Sequence, residues 1–222
     1  MAGLTVFVPS PLVGPMTWGG VAEEWDGPAV ILDTSGDDAA DVLAAMLDGI
    51  PTDEAVTLVA HSNAGAYVPA ITAARDVGTQ IFVDAILPPP TGGVALTSPE
   101  LLALLETLAS PEGILPIWSD WWGDAIRELL PDEETRAALE QSQPRLPLAY
   151  FHDVLPTPAG WDERPSAYLA FGDTYAPECT DTKNRGWATA TIDGHHLQLL
   201  VDPQGVAAAI AELGQRARSL RK

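Results

Sequence analysis

The stretch Val56-Thr57-Leu58-Val59-Ala60-His61-Ser62-Asn63-Ala64-Gly65 is an apolar, β-branched run that ends on a serine and passes into small residues. A serine on such a strand-to-helix turn is lifted above the sheet edge. Its neighbours two positions away on either side must be small to avoid a backbone clash, and the helix N-terminus favours developing negative charge. Ala60 and Ala64 meet the steric demand, although the pattern is looser than G-x-S-x-G. The chemistry offered is nucleophilic attack on an acyl carbonyl. The competing structural reading is a serine that only caps the following helix. A second stretch, Asp193-Gly194-His195-His196-Leu197-Gln198-Leu199-Leu200-Val201-Asp202-Pro203, puts histidine after the last apolar strand and before the last helix. A general base falls there when the chain order is serine, acid, histidine.

Positioning these groups requires strands that alternate with helices. Short apolar runs at Leu4–Val8, Ala29–Leu32, Ala55–Ala60, Thr79–Leu87, Ala167–Phe171 and Ala188–Ile192 predict six buried parallel strands. Helical spacing predicts helices over about 37–47, 63–75 and 203–219, and the α/β alternation implies βαβ units in three layers. Pro88-Pro89-Pro90 stops the fourth strand. The segment from about 98 to 155 breaks the alternation and reads as helices (99–109, 121–130, 133–141), a helical cap inserted in a single domain spanning 1–222.

Eleven Lys and Arg against 31 Asp and Glu give a formal charge of −20, which repels nucleic acid and anionic lipid. A small-molecule substrate is the expected partner. No apolar run approaches the roughly 18–20 residues of a bilayer-spanning helix. The N-terminal run lacks a basic flank and is interrupted by Pro9, Pro11 and Pro15, so a cytoplasmic start is expected. Cys179 is the single cysteine, which leaves no internal disulfide and fits a reducing compartment. No H-x-x-x-H or H-E-x-x-H spacing and no phosphate-binding glycine loop occurs, so neither metal nor other cofactor is expected. The basic cluster Arg216, Arg218, Arg221 and Lys222 complements the end of the last helix, with a partner-binding tail as the alternative.

Taken together, the elbow Ala60-His61-Ser62-Asn63-Ala64-Gly65, the phrase Phe82-Val83-Asp84-Ala85-Ile86-Leu87-Pro88 and the terminal Gly194-His195-His196-Leu197…Val201-Asp202-Pro203 resemble the α/β-hydrolase superfamily. The likeness covers nearly the whole chain. The last two phrases are similar to those of compact hydrolases common in high-GC actinobacteria. The resemblance implies Ser62 as nucleophile and His196, seven residues before Pro203, as base, with His195 orienting or packing. It implies an oxyanion hole at the backbone amides of Asn63 and Leu12, worth on the order of 3 kcal/mol per donor. Ser10 stands where the family's loop usually carries histidine. Family order places the acid at Asp173, after the strand ending Phe171-Gly172. Glu178 and Asp84 are alternatives, since some members draw the acid from the preceding strand, and Asp120 is the weakest candidate.

Insertions of this kind roof the site, so Trp118, Trp121 and Trp122 are expected to contact an apolar substrate. Trp18, on the loop after the first strand, and His61, beside the serine, join them as substrate-facing candidates, though each can equally be packed. The implied activity is hydrolysis of an ester, thioester or lactone, a highly anionic CoA thioester being disfavoured by the charge. A serine at the elbow argues against epoxide hydrolase or dehalogenase chemistry. Two other readings stay open: a lyase, cyclase or isomerase in which His196 moves a proton, and an inactive binding protein, suggested by the irregular loop around Asp173.

Overall fold

The computed structural model describes residues 3–130 and 132–220. Arg221 and Lys222 of the basic cluster lie outside the described residues. In chain order the strands are β1 (Thr5–Val8), β2 (Ala29–Ile31), β3 (Val56–His61), β4 (Val77–Val83), β5 (Gly92–Ala95), β6 (Val154–Thr157), β7 (Ser166–Phe171) and β8 (Ala188–Ile192). The α-helices are α1 (Gly19–Glu23), α2 (Ala39–Asp48), α3 (Val68–Ala74), α4 (Pro99–Leu108), α5 (Ala125–Leu129), α6 (Glu133–Ser142), α7 (Ala176–Asn184), α8 (Gln198–Val201) and α9 (Pro203–Leu220).

Six strands form one all-parallel sheet in the order β2-β1-β3-β4-β7-β8. Alternate residues feed two cores, because side chains along a strand point to opposite faces. Val6, Val8, Leu58, Ala60, Phe82, Tyr168 and Ala170 enter one, joined by Val42 and Met46 of α2, Val68 and Ile71 of α3, and Cys179 of α7. Phe7, Val59, Ile81, Val83, Leu169 and Phe171 enter the other, joined by Val21 of α1 and by Val206, Ile210 and Leu213 of α9. Burial on both faces makes each strand an unbroken apolar run rather than an alternating one. The three-layer α/β architecture expected from the sequence is the one observed.

Two elements differ from expectation for one reason. The fourth strand ends at Val83, not Leu87, since Asp84 takes a left-handed φ of 44°. The helix expected from Asn63 opens instead as a 3₁₀ turn over Ser62–Tyr67 before α3 begins. Both changes let the chain after β4 cross beneath the elbow, where the Ile86 N–H donates to the Ser62 carbonyl at 3.0 Å. The approach is so close that a Cβ on Gly65 would lie 2.1 Å from the Ile86 carbonyl oxygen.

Between β4 and β7 the chain forms an antiparallel ribbon, β5 against β6, with Gly93 opposite Pro156 and Val94 opposite Leu155. The ribbon was not expected, because Gly92-Gly93 and Pro156 are poor strand residues tolerated only at an edge. Between its strands lie α4, α5 and α6. The helix expected over 121–130 is split into a 3₁₀ turn (Trp118–Trp122) and α5 by Gly123, whose φ is 55°. No helix among the described residues is long and apolar enough to cross a membrane.

The crossover beneath the elbow predicts that Gly65→Ala destabilises the fold by about 2–3 kcal/mol, the range typical of overpacking against backbone. Denaturant unfolding monitored by tryptophan fluorescence measures it. A loss under about 0.5 kcal/mol would mean that residues 84–86 can move aside.

Candidate active site

Ser62 follows β3 with a left-handed φ of 58°, a conformation costly for a non-glycine residue. A capping serine would instead be extended. The following turn has His61 as its first flanking residue and no side-chain cap, so the capping reading falls. Ser62 Oγ lies 2.9 Å from His196 Nε2, and His196 Nδ1 lies 2.7 Å from Asp84 Oδ2. Asp84 is fully buried at the end of β4, and its other oxygen accepts the Phe171 N–H at 2.9 Å. With Nδ1–H donating to the carboxylate, Nε2 is left free to accept the serine proton.

The carboxylate at His196 is therefore Asp84 rather than Asp173. Asp173 sits in the turn after β7 with an exposed side chain, and no hydrogen bond joins it to His196. Glu178, in the first turn of α7, faces the cavity described below but does not bond to His196. Asp120 is exposed on the 3₁₀ turn of the insertion.

The histidine is held from below and from the side. His61 is fully buried, stacks on His196 with ring centroids 4.7 Å apart, and its Nε2 lies 3.1 Å from the His196 carbonyl oxygen. Burial, with the adjacent His196 as a lesser cause, holds the His61 imidazole well below the usual histidine range, so its ring is neutral. His195 accepts the Leu197 N–H at its Nδ1, 3.2 Å away, and so shapes the turn into α8.

A cavity of about 470 Å³ opens over Ser62 and His196. Trp118 and Trp122 line it, along with Ile86, Leu96, Leu101 and Tyr175. Three expected substrate contacts do not. Trp18 is buried against Phe7 on the opposite face of the sheet, His61 lies beneath His196, and Trp121 packs edge-on to Phe151 while its indole N–H donates to Pro116. Leu12 and Asn63 both line the cavity. The Leu12 N–H makes a long contact, 3.3 Å, to Ser10 Oγ.

Two features escaped the sequence reading. Tyr175 lies beside His196, with ring centroids 5.6 Å apart, and burial raises its phenol well above the usual tyrosine range. The Asn63 side chain is bonded at both ends: Nδ2 donates to the Leu96 carbonyl at 2.6 Å, and Oδ1 accepts from the Tyr150 hydroxyl at 2.6 Å. Tyr150 in turn accepts from Tyr67 at 2.9 Å. A tyrosine just after a glycine-ended strand was the only available signal for Tyr175, and the Asn63 partners carried none.

Serine, histidine and carboxylate meet at the C-terminal edge of a parallel sheet, and the chain belongs to the alpha/beta hydrolase family, whose model matches residues 12–209. No curated protein sequence matches it. Among solved structures it is similar to an extracellular alpha/beta-hydrolase from a Paenibacillus species, with 18% identity, a TM-score of 0.74, and coverage of 95% of this chain and 98% of that one. It is also similar to a variant of tomato methylketone synthase I complexed with beta-ketoheptanoate (12% identity, TM-score 0.78, 98% of each chain). A methylesterase from Arabidopsis is a third (16% identity, TM-score 0.70, 99% and 100%).

A buried neutral His61 makes stability depend on pH. In the unfolded chain histidine takes up a proton as pH falls through about 6.5, whereas the folded state resists it, so this contribution is complete above 6.5 and lost below. Between pH 6.5 and 5.5 the native protein is expected to lose up to about 1 kcal/mol more than His61→Gln, measured by denaturant unfolding at each pH. Equal slopes for the two would mean that His61 is protonated in the fold.

Proposed function

We propose that this protein is a serine hydrolase that cleaves a carboxylic ester, thioester or lactone of a moderately apolar small molecule through an acyl-enzyme on Ser62. The observation that carries the reading is the unbroken Ser62–His196–Asp84 hydrogen-bonded array beneath an open cavity. His196 Nε2 takes the Ser62 proton as Oγ bonds to the carbonyl carbon. The carbonyl oxygen becomes an oxyanion facing the backbone N–H groups of Asn63 and Leu12, the latter exchanging its long contact with Ser10. The imidazolium then protonates the leaving oxygen or sulfur, and the C–O or C–S bond breaks. Water, deprotonated by His196, then attacks the acyl carbon, and as the C–Oγ bond breaks the imidazolium returns that proton to Ser62 Oγ. Asp84 holds the imidazole tautomer throughout.

The inactive-protein reading rested on the irregular loop around Asp173, and it loses its motive once Asp84 meets His196. Proton-transfer chemistry without an acyl-enzyme is separated by experiment. A fluorophosphonate is expected to add once, at Ser62, as read by intact mass, with the adduct lost in Ser62→Ala and His196→Ala. No adduct on the folded protein would overturn the acyl-enzyme and leave His196 as a proton carrier.

Asp84→Asn is expected to lower kcat on an activated ester by about 10³–10⁴-fold, because an amide favours the wrong imidazole tautomer. Asp173→Asn should change it by less than about threefold, in line with an exposed side chain away from the histidine. The reverse pattern would return the acid to the β7 loop.

A further inference from the structure

The cavity has one acidic side chain in its lining. Glu178 lines it, no Lys or Arg does, and none of the ion pairs between described residues includes Glu178. Its position in the first turn of α7 accounts for a negative charge near the helix N-terminus, but not for its place in the lining of the cavity that also holds Ser62. Burial pushes its carboxyl above the usual glutamate range, with the negative charges of Asp84 and Asp181 adding to the effect, as befits a carboxyl that lacks a counter-charge. Trp118 and Trp122 line the same cavity, edge-on to each other with ring centroids 5.9 Å apart, and Trp122 is 40% exposed. A carboxylate together with indole faces is the chemistry that binds an alkylammonium group. The formal charge of −20 works the same way at long range, concentrating cations and repelling anions.

We propose that the natural substrate carries a positively charged amine in its non-reacting part, seated between Glu178 and the Trp118–Trp122 pair while Ser62 attacks the acyl carbon. This deepens the hydrolase reading and rests on it for turnover, but not for binding. The amine is a protonated or quaternary nitrogen on either the acyl or the alcohol portion. A free carboxylate in that position would meet Glu178 and be rejected, so the cavity discriminates by charge as well as by size.

Matched substrate pairs test it. For the acyl side, p-nitrophenyl 4-(trimethylammonio)butanoate is compared with p-nitrophenyl 5,5-dimethylhexanoate, its uncharged isostere. For the alcohol side, choline butanoate is compared with 3,3-dimethylbutyl butanoate. In at least one pair the cationic member is expected to have the higher kcat/KM, by about tenfold, and Glu178→Gln should remove most of that preference. Asp173→Asn, which removes one exposed charge, should leave the preference in place. A preference of one or less in both pairs would overturn the proposal, as would one untouched by Glu178→Gln or equally lowered by Asp173→Asn.

If neither member of either pair is cleaved, the fluorophosphonate adduct still decides the hydrolase reading and choline binding still decides the amine site. Choline titrated into Ser62→Ala should change tryptophan fluorescence saturably, with an affinity reduced about tenfold in Ser62→Ala/Glu178→Gln. No saturable change, or the same affinity in both, would overturn the amine site.

Discussion

Two neighbouring parallel strands each end on a non-glycine residue forced into the left-handed region, and the arrangement of the site depends on that pair. In the β3–β4 register His61 is paired with Val83, so Ser62 and Asp84 are the next positions beyond adjacent strands. Each conformation costs of order 1–3 kcal/mol. The cost is offset by bonds that exist only in this arrangement: Asp84 N–H to the Leu169 carbonyl at 2.7 Å, Ile86 N–H to the Ser62 carbonyl, and Phe171 N–H to the Asp84 carboxylate. His196 arrives from beyond β8, the far edge of the sheet, and spans the gap between two groups already fixed.

The pairing of Ser62 with His196 was readable because each is tied to local steric demands. Ser62 needs small residues at fixed offsets, and His196 stands on a loop between a strand and a helix. Asp84 ranked only as an alternative to Asp173, since the apolar text of Phe82–Leu87 reads as continuous strand and nothing in its periodicity marks a reversal of φ. Asp173 is at the same edge of the sheet and in the expected chain order, but its side chain is exposed while the site lies inward. The tryptophans tell the same story: aromatic density located the insertion, yet only the three-dimensional path decides that Trp118 and Trp122 face the cavity while Trp121 packs against Phe151. Six strands were readable for a different reason, since burial on both faces leaves little ambiguity in composition.

The stacking of His61 on His196 places two imidazoles in contact where, in the proposed mechanism, one becomes charged. A second cation there would oppose that step. Complete burial keeps His61 uncharged, so it supports the loop through its contact with the His196 carbonyl without repelling the imidazolium above it. The acidic Asp84 and the neutral His61 thus act from different sides on the same ring.

The Asn63 side chain has a broader consequence. It is bonded to Leu96 just beyond one ribbon strand and to Tyr150 shortly before the other, so both feet of the insertion are pinned to the residue beside the nucleophile. The chain between those feet is a closed excursion, and the entropy of closing a loop grows only slowly with its length. Lengthening, shortening or exchanging that excursion therefore changes the shape of the roof while the nucleophile keeps its footing. In the proposed hydrolase this separates the part that would choose a substrate from the part that would react with it, so a lineage or an engineer can revise the first at small cost to the second.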